Sequence, residues 1–132
     1  MSALNSGGKP ANTRVLIVDD EPAICLLLKE LLSQAGFDCQ TAPSGNAALD
    51  ILQQHEFDAL ISDLYMPGIS GLALLESARA KYPGMRLLLA TGGAEEQAGV
   101  DAVGHGADGY VLKPFRLDAV VAALRRVLEP KP

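Results

Sequence analysis

The sequence predicts a three-layer α/β domain: a five-stranded parallel sheet in the order 2-1-3-4-5, with five helices covering its faces. Three observations predict it. Short apolar runs alternate with helix-period segments five times, and parallel strands need such helical crossovers to join them. The runs Val15-Leu16-Ile17-Val18, Ala59-Leu60-Ile61, Leu87-Leu88-Leu89-Ala90 and Tyr110-Val111-Leu112 are continuous, as strands buried on both faces are. The remaining run alternates, with Phe37, Cys39 and Thr41 separated by polar residues, which marks a half-exposed strand at a sheet edge.

The elements follow in order. A chain of 132 residues suits one domain and is too short for two ordinary ones. Residues 1–13, with Ser6, Gly7, Gly8, Pro10 and Asn12, read as a flexible lead-in, residues 14–129 as the domain and residues 130–132 as a tail. After the first strand, Pro22 suits a first helical turn. Ile24, Leu28, Leu31 and Ala35 form one helical stripe, and Gly36 stops that helix. Ser44 caps a second helix on Ala48, Leu49 and Leu52. Ser70 caps a third through Leu72, Leu75 and Tyr82, which Pro83-Gly84 ends. A weak helix spans Glu95 to Val103. Gly99 lies inside it and Gly92, Gly93 and Gly104 beside it, so it should be the least stable of the five. The last helix carries Leu117, Val121, Leu124 and Leu128. Val120, Ala123 and Val127 widen its stripe, to meet a partner or a second copy, or to pack internally. Right-handed crossovers leave few ways to wind these units, and the flavodoxin-like order is the one that puts the alternating strand at an edge.

Composition excludes several functions. Apolar residues make up 48% and charged ones 20%, enough for a real core. Eleven basic against sixteen acidic side chains give a net charge of −5, which argues against direct nucleic-acid binding. No apolar run is long enough for membrane insertion, and no secretory signal opens the chain. Cys25 and Cys39 have neither metal nor redox spacing and read as small core residues in a reduced, cytoplasmic setting. His55 and His105 stand alone as surface or loop residues.

Ligands of an open parallel sheet bind beyond the carboxyl ends of its strands. Those ends carry Asp19 and Asp20, Asp63, Thr91 and Lys113. Three close carboxylates need protons or a cation at neutral pH, and an oxygen-only set with few protein ligands suits Mg²⁺. A carboxylate can also attack a phosphoryl group, giving an aspartyl phosphate. Mg²⁺ and Lys113 would then neutralise charge on the transferring oxygens, with a hydrogen bond from Thr91. Each of these residues alone has a plainer reading. Asp20 with Glu21 and Pro22 also suits a simple helix start, and Tyr110 suits plain packing on an edge strand as well as it suits a moving part.

Val15-Leu16-Ile17-Val18-Asp19-Asp20-Glu21, Ser62-Asp63-Leu64-Tyr65-Met66-Pro67-Gly68, Thr91-Gly92 and Tyr110-Val111-Leu112-Lys113-Pro114 resemble the motifs of a chemotaxis-regulator-like receiver domain of two-component response regulators. The resemblance covers residues 14 to 128. It implies that Asp63 accepts a phosphoryl group from a phosphohistidine on a sensor histidine kinase or histidine phosphotransfer protein. It implies that Asp20, Asp63 and the backbone carbonyl of Tyr65 hold Mg²⁺, with Asp19 acting through bound water. Thr91 and Tyr110 would form a switch pair, Lys113 would meet the phosphoryl oxygens, and Lys113–Pro114 would be a cis peptide. Tyr65 beside the phosphate and Gly93, which has no side chain to position water, imply slow self-dephosphorylation.

Phosphorylation would then change the face around the fourth helix, the fifth strand and the last helix. That face would act on a downstream protein or output domain, or pair two copies in a phosphorylation-dependent homodimer. Such a chain is a signalling switch, not a turnover enzyme. Rival functions fare worse. A flavin or nucleotide carrier wants a phosphate-cradling loop after the first strand, where Asp19-Asp20-Glu21-Pro22 stands instead. An aspartyl-phosphate hydrolase would place its nucleophile and second acid two residues apart on one strand, whereas here they lie on different strands. A degenerate receiver acting as a phosphorylation-independent scaffold is the alternative within the family, and all of its chemical positions are filled.

Overall fold

The computed structural model describes residues 13–64, 66–92, 106–113 and 116–130, and these residues form nine regular elements. They are β1 (Arg14–Val18), α1 (Pro22–Gln34), β2 (Asp38–Ala42), α2 (Gly45–Gln54), β3 (Ala59–Asp63), α3 (Gly71–Lys81), β4 (Arg86–Gly92), β5 (Gly109–Lys113) and α4 (Leu117–Leu128). The strands form one parallel sheet in the order β2-β1-β3-β4-β5, as the sequence predicts. The helix expected at Glu95 to Val103 lies outside the described residues. No helix among the described residues is long and apolar enough to cross a membrane.

Strand alternation divides the interior into two cores. Leu16, Val18, Leu60, Leu87 and Leu89 face α2 and α3, while Val15, Ile17, Ile61, Leu88 and Val111 face α1 and α4. Among the described residues β2 pairs with β1 alone, and it buries Cys39 but not Asp38, which is the edge behaviour its alternation predicts. Local signals set the helix ends. Ser44 and Ser70 each accept a hydrogen bond from the backbone N–H three residues on. Gly36, at φ 99°, lets Phe37 N–H reach Leu32 O and Gly36 N–H reach Ser33 O, closing α1 with a Schellman turn.

Three apolar stripes differ from expectation. On α1 the buried residues are Cys25, Leu28 and Leu32, with Ile24, Leu31 and Ala35 at the margins. On α3 they are Leu74, Leu75 and Ala78, while Tyr82 lies past the helix end, half-buried. On α4, Val120, Leu124 and Val127 are buried, with Val121, Ala123 and Leu128 partly so. Val120 and Val127 therefore belong to the core and not to a partner surface. Apolar residues at both three- and four-residue spacing allow two rotations of a helix, and contact with the sheet selects one.

Composition gives no sign of one further feature. Asp108 accepts hydrogen bonds from Arg79 at 2.6 Å and from Leu87 N–H at 2.8 Å. Arg79 also donates to the carbonyls of Pro83, Met85 and Gly106. The clamp joins the end of α3 to the starts of β4 and β5. Asp108→Ala should cost about 3 kcal/mol, because it strands a partly buried guanidinium and a backbone donor. Urea unfolding reads the loss, and a change below about 1 kcal/mol would mean that water replaces the carboxylate at no cost.

Cys39 supplies a pH test. Burial, then the neighbouring Asp38 charge, pushes its thiol up to about 11. A folded-state value above the unfolded one means stability is retained below the unfolded value and lost as pH rises toward the folded one. Stability should therefore fall between pH 9 and about 11, and iodoacetamide should label Cys39 at neutral pH only on unfolding. Rapid labelling of the folded chain at pH 7 would contradict this.

Candidate functional site

Four strands deliver the chemistry to one end of the sheet. Asp19 follows β1 and is buried at 2% exposure. Its backbone N–H donates to Ala42 O, and its carboxylate accepts from Glu21 N–H at 2.9 Å. Asp20, next in sequence, is exposed. Asp63 ends β3, half-buried, opposite Ala90 of β4. Thr91 is fully buried near the end of β4, and Lys113 ends β5 opposite Gly92.

The side chains converge. Lys113 Nζ donates to Asp63 Oδ1 at 2.9 Å and to Asp19 Oδ2 at 3.3 Å. Carboxylate oxygens of Asp19, Asp20 and Asp63 all lie within 4.8 Å of one another. Three carboxylates thus face one ammonium, an excess of negative charge that a divalent cation would cancel. The donor set is all oxygen, one member is exposed to solvent, and two are held by hydrogen bonds, so the residues fit a hard cation that keeps some of its waters.

The electrostatics agree with this arrangement. Burial pushes the Asp63 carboxyl above its usual range; the bonded Lys113 opposes the rise and the Asp19 charge adds to it. At Lys113 burial disfavours the ammonium, but the bonded Asp63 and the nearby Asp19 outweigh that and hold its pKa above the usual lysine value. Asp63 is an unsettled carboxylate, and an incoming cation would relieve it.

Tyr110 is half-buried and packs against the core on the α2 and α3 side. It pairs with Leu89, two residues before Thr91, so strand alternation puts Tyr110 and Thr91 on the same face of the sheet. Tyr65, Gly93 and Pro114 lie outside the described residues, as do the carbonyl contact and cis peptide expected there. His55 is an exposed residue at the end of α2, away from the cluster.

Sequence reasoning missed two supports of the site. The Cys25 thiol, buried on α1, donates to the Asp19 carbonyl at 3.4 Å. Gly71, the first residue of α3, sits against the backbone of Asp63 so closely that a Cβ there would overlap the Asp63 carbonyl oxygen. Its N–H donates to Leu64 O at 2.9 Å. A glycine directly after the capping Ser70 was the available signal.

Known proteins place the chain. The family described as response regulator receiver domain matches residues 15–125. The DNA-binding transcriptional regulator NtrC of Klebsiella pneumoniae is 39% identical over 112 residues, covering 85% of this chain and 24% of that protein. The chain therefore spans about a quarter of the length of this curated relative. Among solved structures, the receiver domain of NtrX from Brucella abortus aligns with a TM-score of 0.84 at 28% identity, covering 89% of this chain and 99% of that one. The Vibrio cholerae chemotaxis protein CheY4 aligns with a TM-score of 0.78 at 32% identity, covering 89% and 99%. Nearly the whole folded part carries the family's pattern, and its acids, hydroxyl and lysine meet at one end of the sheet: the chain belongs to the response regulator receiver domain family.

Proposed function

We propose that Asp63 is the phosphoacceptor of this receiver domain, and that it takes the phosphoryl group from a phosphohistidine on a sensor histidine kinase or phosphotransfer protein. The observation that carries the assignment is the Lys113 ammonium 2.9 Å from Asp63 Oδ1 inside a three-carboxylate cluster. Phosphoacceptor function in two-component signalling comes with the family, and the phosphorylation-independent scaffold is not favoured.

An oxygen of the Asp63 carboxylate attacks phosphorus, the O–P bond forms, the P–N bond to the imidazole breaks, and the imidazole leaves with the electron pair. Asp20 and Asp63 would hold Mg²⁺, with Asp19 acting through bound water, and the bound ion would neutralise charge on the transferring group's oxygens. Lys113 stays with the same oxygens once the Asp63 charge has moved onto the phosphate. Thr91, buried and on the same sheet face as Tyr110, supplies a hydroxyl to one of those oxygens. Movement of that hydroxyl alters the packing of Tyr110, and so the side of the fold that carries β5 and α4.

Output then passes by protein contact, and the net charge of −5 supports a domain that does not itself bind nucleic acid. A cytoplasmic setting is consistent with two free, buried cysteines. Intact mass after incubation with Mg²⁺ and a small-molecule acyl phosphate tests the assignment. Wild type should gain one phosphoryl group, and Asp63→Asn should gain none. A gain that survives in Asp63→Asn would assign the acceptor elsewhere.

A further inference from the structure

We propose that Ser62 is a positioning residue for Asp63: its buried hydroxyl holds the Asp63 carbonyl, and with it the peptide that joins Asp63 to Leu64. The inference rests on the Asp63 reading above and adds a residue that acts through Asp63, not on the transferred group itself. Ser62 is fully buried on β3 and pairs with Val18 of β1 and Leu89 of β4. Leu89 pairs in turn with Tyr110, so the row across the sheet reads Val18, Ser62, Leu89, Tyr110. Strand alternation turns Ser62 the same way as Leu60, toward α2 and α3. An alanine or a valine would pack in this row with no polar group to satisfy. A hydroxyl there needs an acceptor, and it donates to the Asp63 carbonyl at 3.0 Å.

The setting of that peptide decides where the carboxylate lies. Asp63 is the last residue of β3. The peptide after it is held at its nitrogen, where Leu64 N–H donates to Ala90 O at 3.0 Å, and at its oxygen by Ser62. Gly71 lies close against the same oxygen, which blocks one direction of rotation. Burial pushes the Asp63 carboxyl up, and beside Lys113 the Leu64 N–H opposes that rise, so this one peptide also bears on the carboxylate. Its rotation would carry the carboxylate away from Lys113, now 2.9 Å from Asp63 Oδ1. Displacing a reacting group by about 1 Å can cost about a hundredfold in rate, so a held peptide matters before any donor arrives.

Threonine and valine have nearly the same shape and differ in the hydroxyl, so Ser62→Thr and Ser62→Val form the test pair. Ser62→Ala removes the hydroxyl without adding bulk and, set against wild type, gives the same reading if a branched side chain disturbs folding. Intact mass follows phosphoryl gain from a small acyl phosphate at saturating Mg²⁺ over a range of donor concentrations. NMR follows hydrogen exchange at Leu64 N–H. Ser62→Val and Ser62→Ala should lower the limiting rate about tenfold and leave the half-saturating donor concentration unchanged, while Ser62→Thr keeps the wild-type rate. Leu64 N–H should exchange faster in Ser62→Val and Ser62→Ala than in wild type and Ser62→Thr. A role in packing alone would change stability without this split. Equal limiting rates with and without the hydroxyl, or equal exchange at Leu64, would overturn the proposal. A wild type that gains no phosphoryl group would overturn the Asp63 assignment instead, and the exchange comparison would still decide whether Ser62 holds the peptide.

Discussion

Gly71→Ala should displace Asp63, the proposed phosphoacceptor, and cost about 3 kcal/mol or more. The added Cβ would overlap the Asp63 carbonyl oxygen and come within 2.9 Å of the Asp63 carbonyl carbon and of Leu64 Cα. All three are backbone atoms, so no rotamer change relieves the contact. Either α3 withdraws from the end of β3 or β3 bends away, and both moves shift the Asp63 carboxylate relative to Lys113. Phosphoryl gain should therefore fall in the fraction of molecules that remain folded, as judged by intact mass beside circular dichroism. Gly84→Ala is the control, because a Cβ there meets nothing within 4 Å. Wild-type stability and wild-type phosphorylation in Gly71→Ala would show that α3 slides freely over the strand end.

Lys113→Met should separate two properties that the ammonium now links. Loss of a positive donor to a transferring phosphoryl group typically costs about a hundredfold in rate, and phosphorylation by a small acyl phosphate should slow by that order. Divalent-cation affinity should rise over the same substitution. Lys113 holds Asp63 and Asp19 at 2.9 and 3.3 Å, so it competes for the oxygens that a cation would use. Isothermal titration with Mg²⁺ and mass-resolved phosphorylation kinetics give the two readings independently. A variant with an unchanged phosphorylation rate would remove Lys113 from the chemistry, and weaker Mg²⁺ binding would show that the lysine organises the carboxylates instead of competing for them.

The sequence made the sheet legible because its signals are local. Four continuous apolar runs and one alternating run establish which strands are central and which lies at an edge, and Asp19, Asp63, Thr91 and Lys113 follow from where those strands end. Helix rotation was less legible. On α4 the apolar positions Leu117, Val120, Val121, Leu124, Val127 and Leu128 fit two overlapping stripes, and only docking on Leu88 and Val111 selects Val120, Leu124 and Val127. The Arg79–Asp108 clamp could not be read at all, since it joins residues 29 positions apart and most of its acceptors are backbone carbonyls, which any sequence supplies. Gly71 was hidden for a related reason: a glycine at the start of a helix has many causes, and the Asp63 backbone behind it appears only once α3 is packed.

Lys113 is separated from Asp19 by 94 positions and from Asp63 by 50. During synthesis, the Asp63 carboxylate leaves the ribosome well before the lysine that completes its surroundings. An unfinished chain therefore holds Asp63 without the ammonium that pairs with it in the folded domain. The long crossovers of a parallel sheet are slow to close, so the carboxylates and the lysine meet only after the last strand has been made and paired.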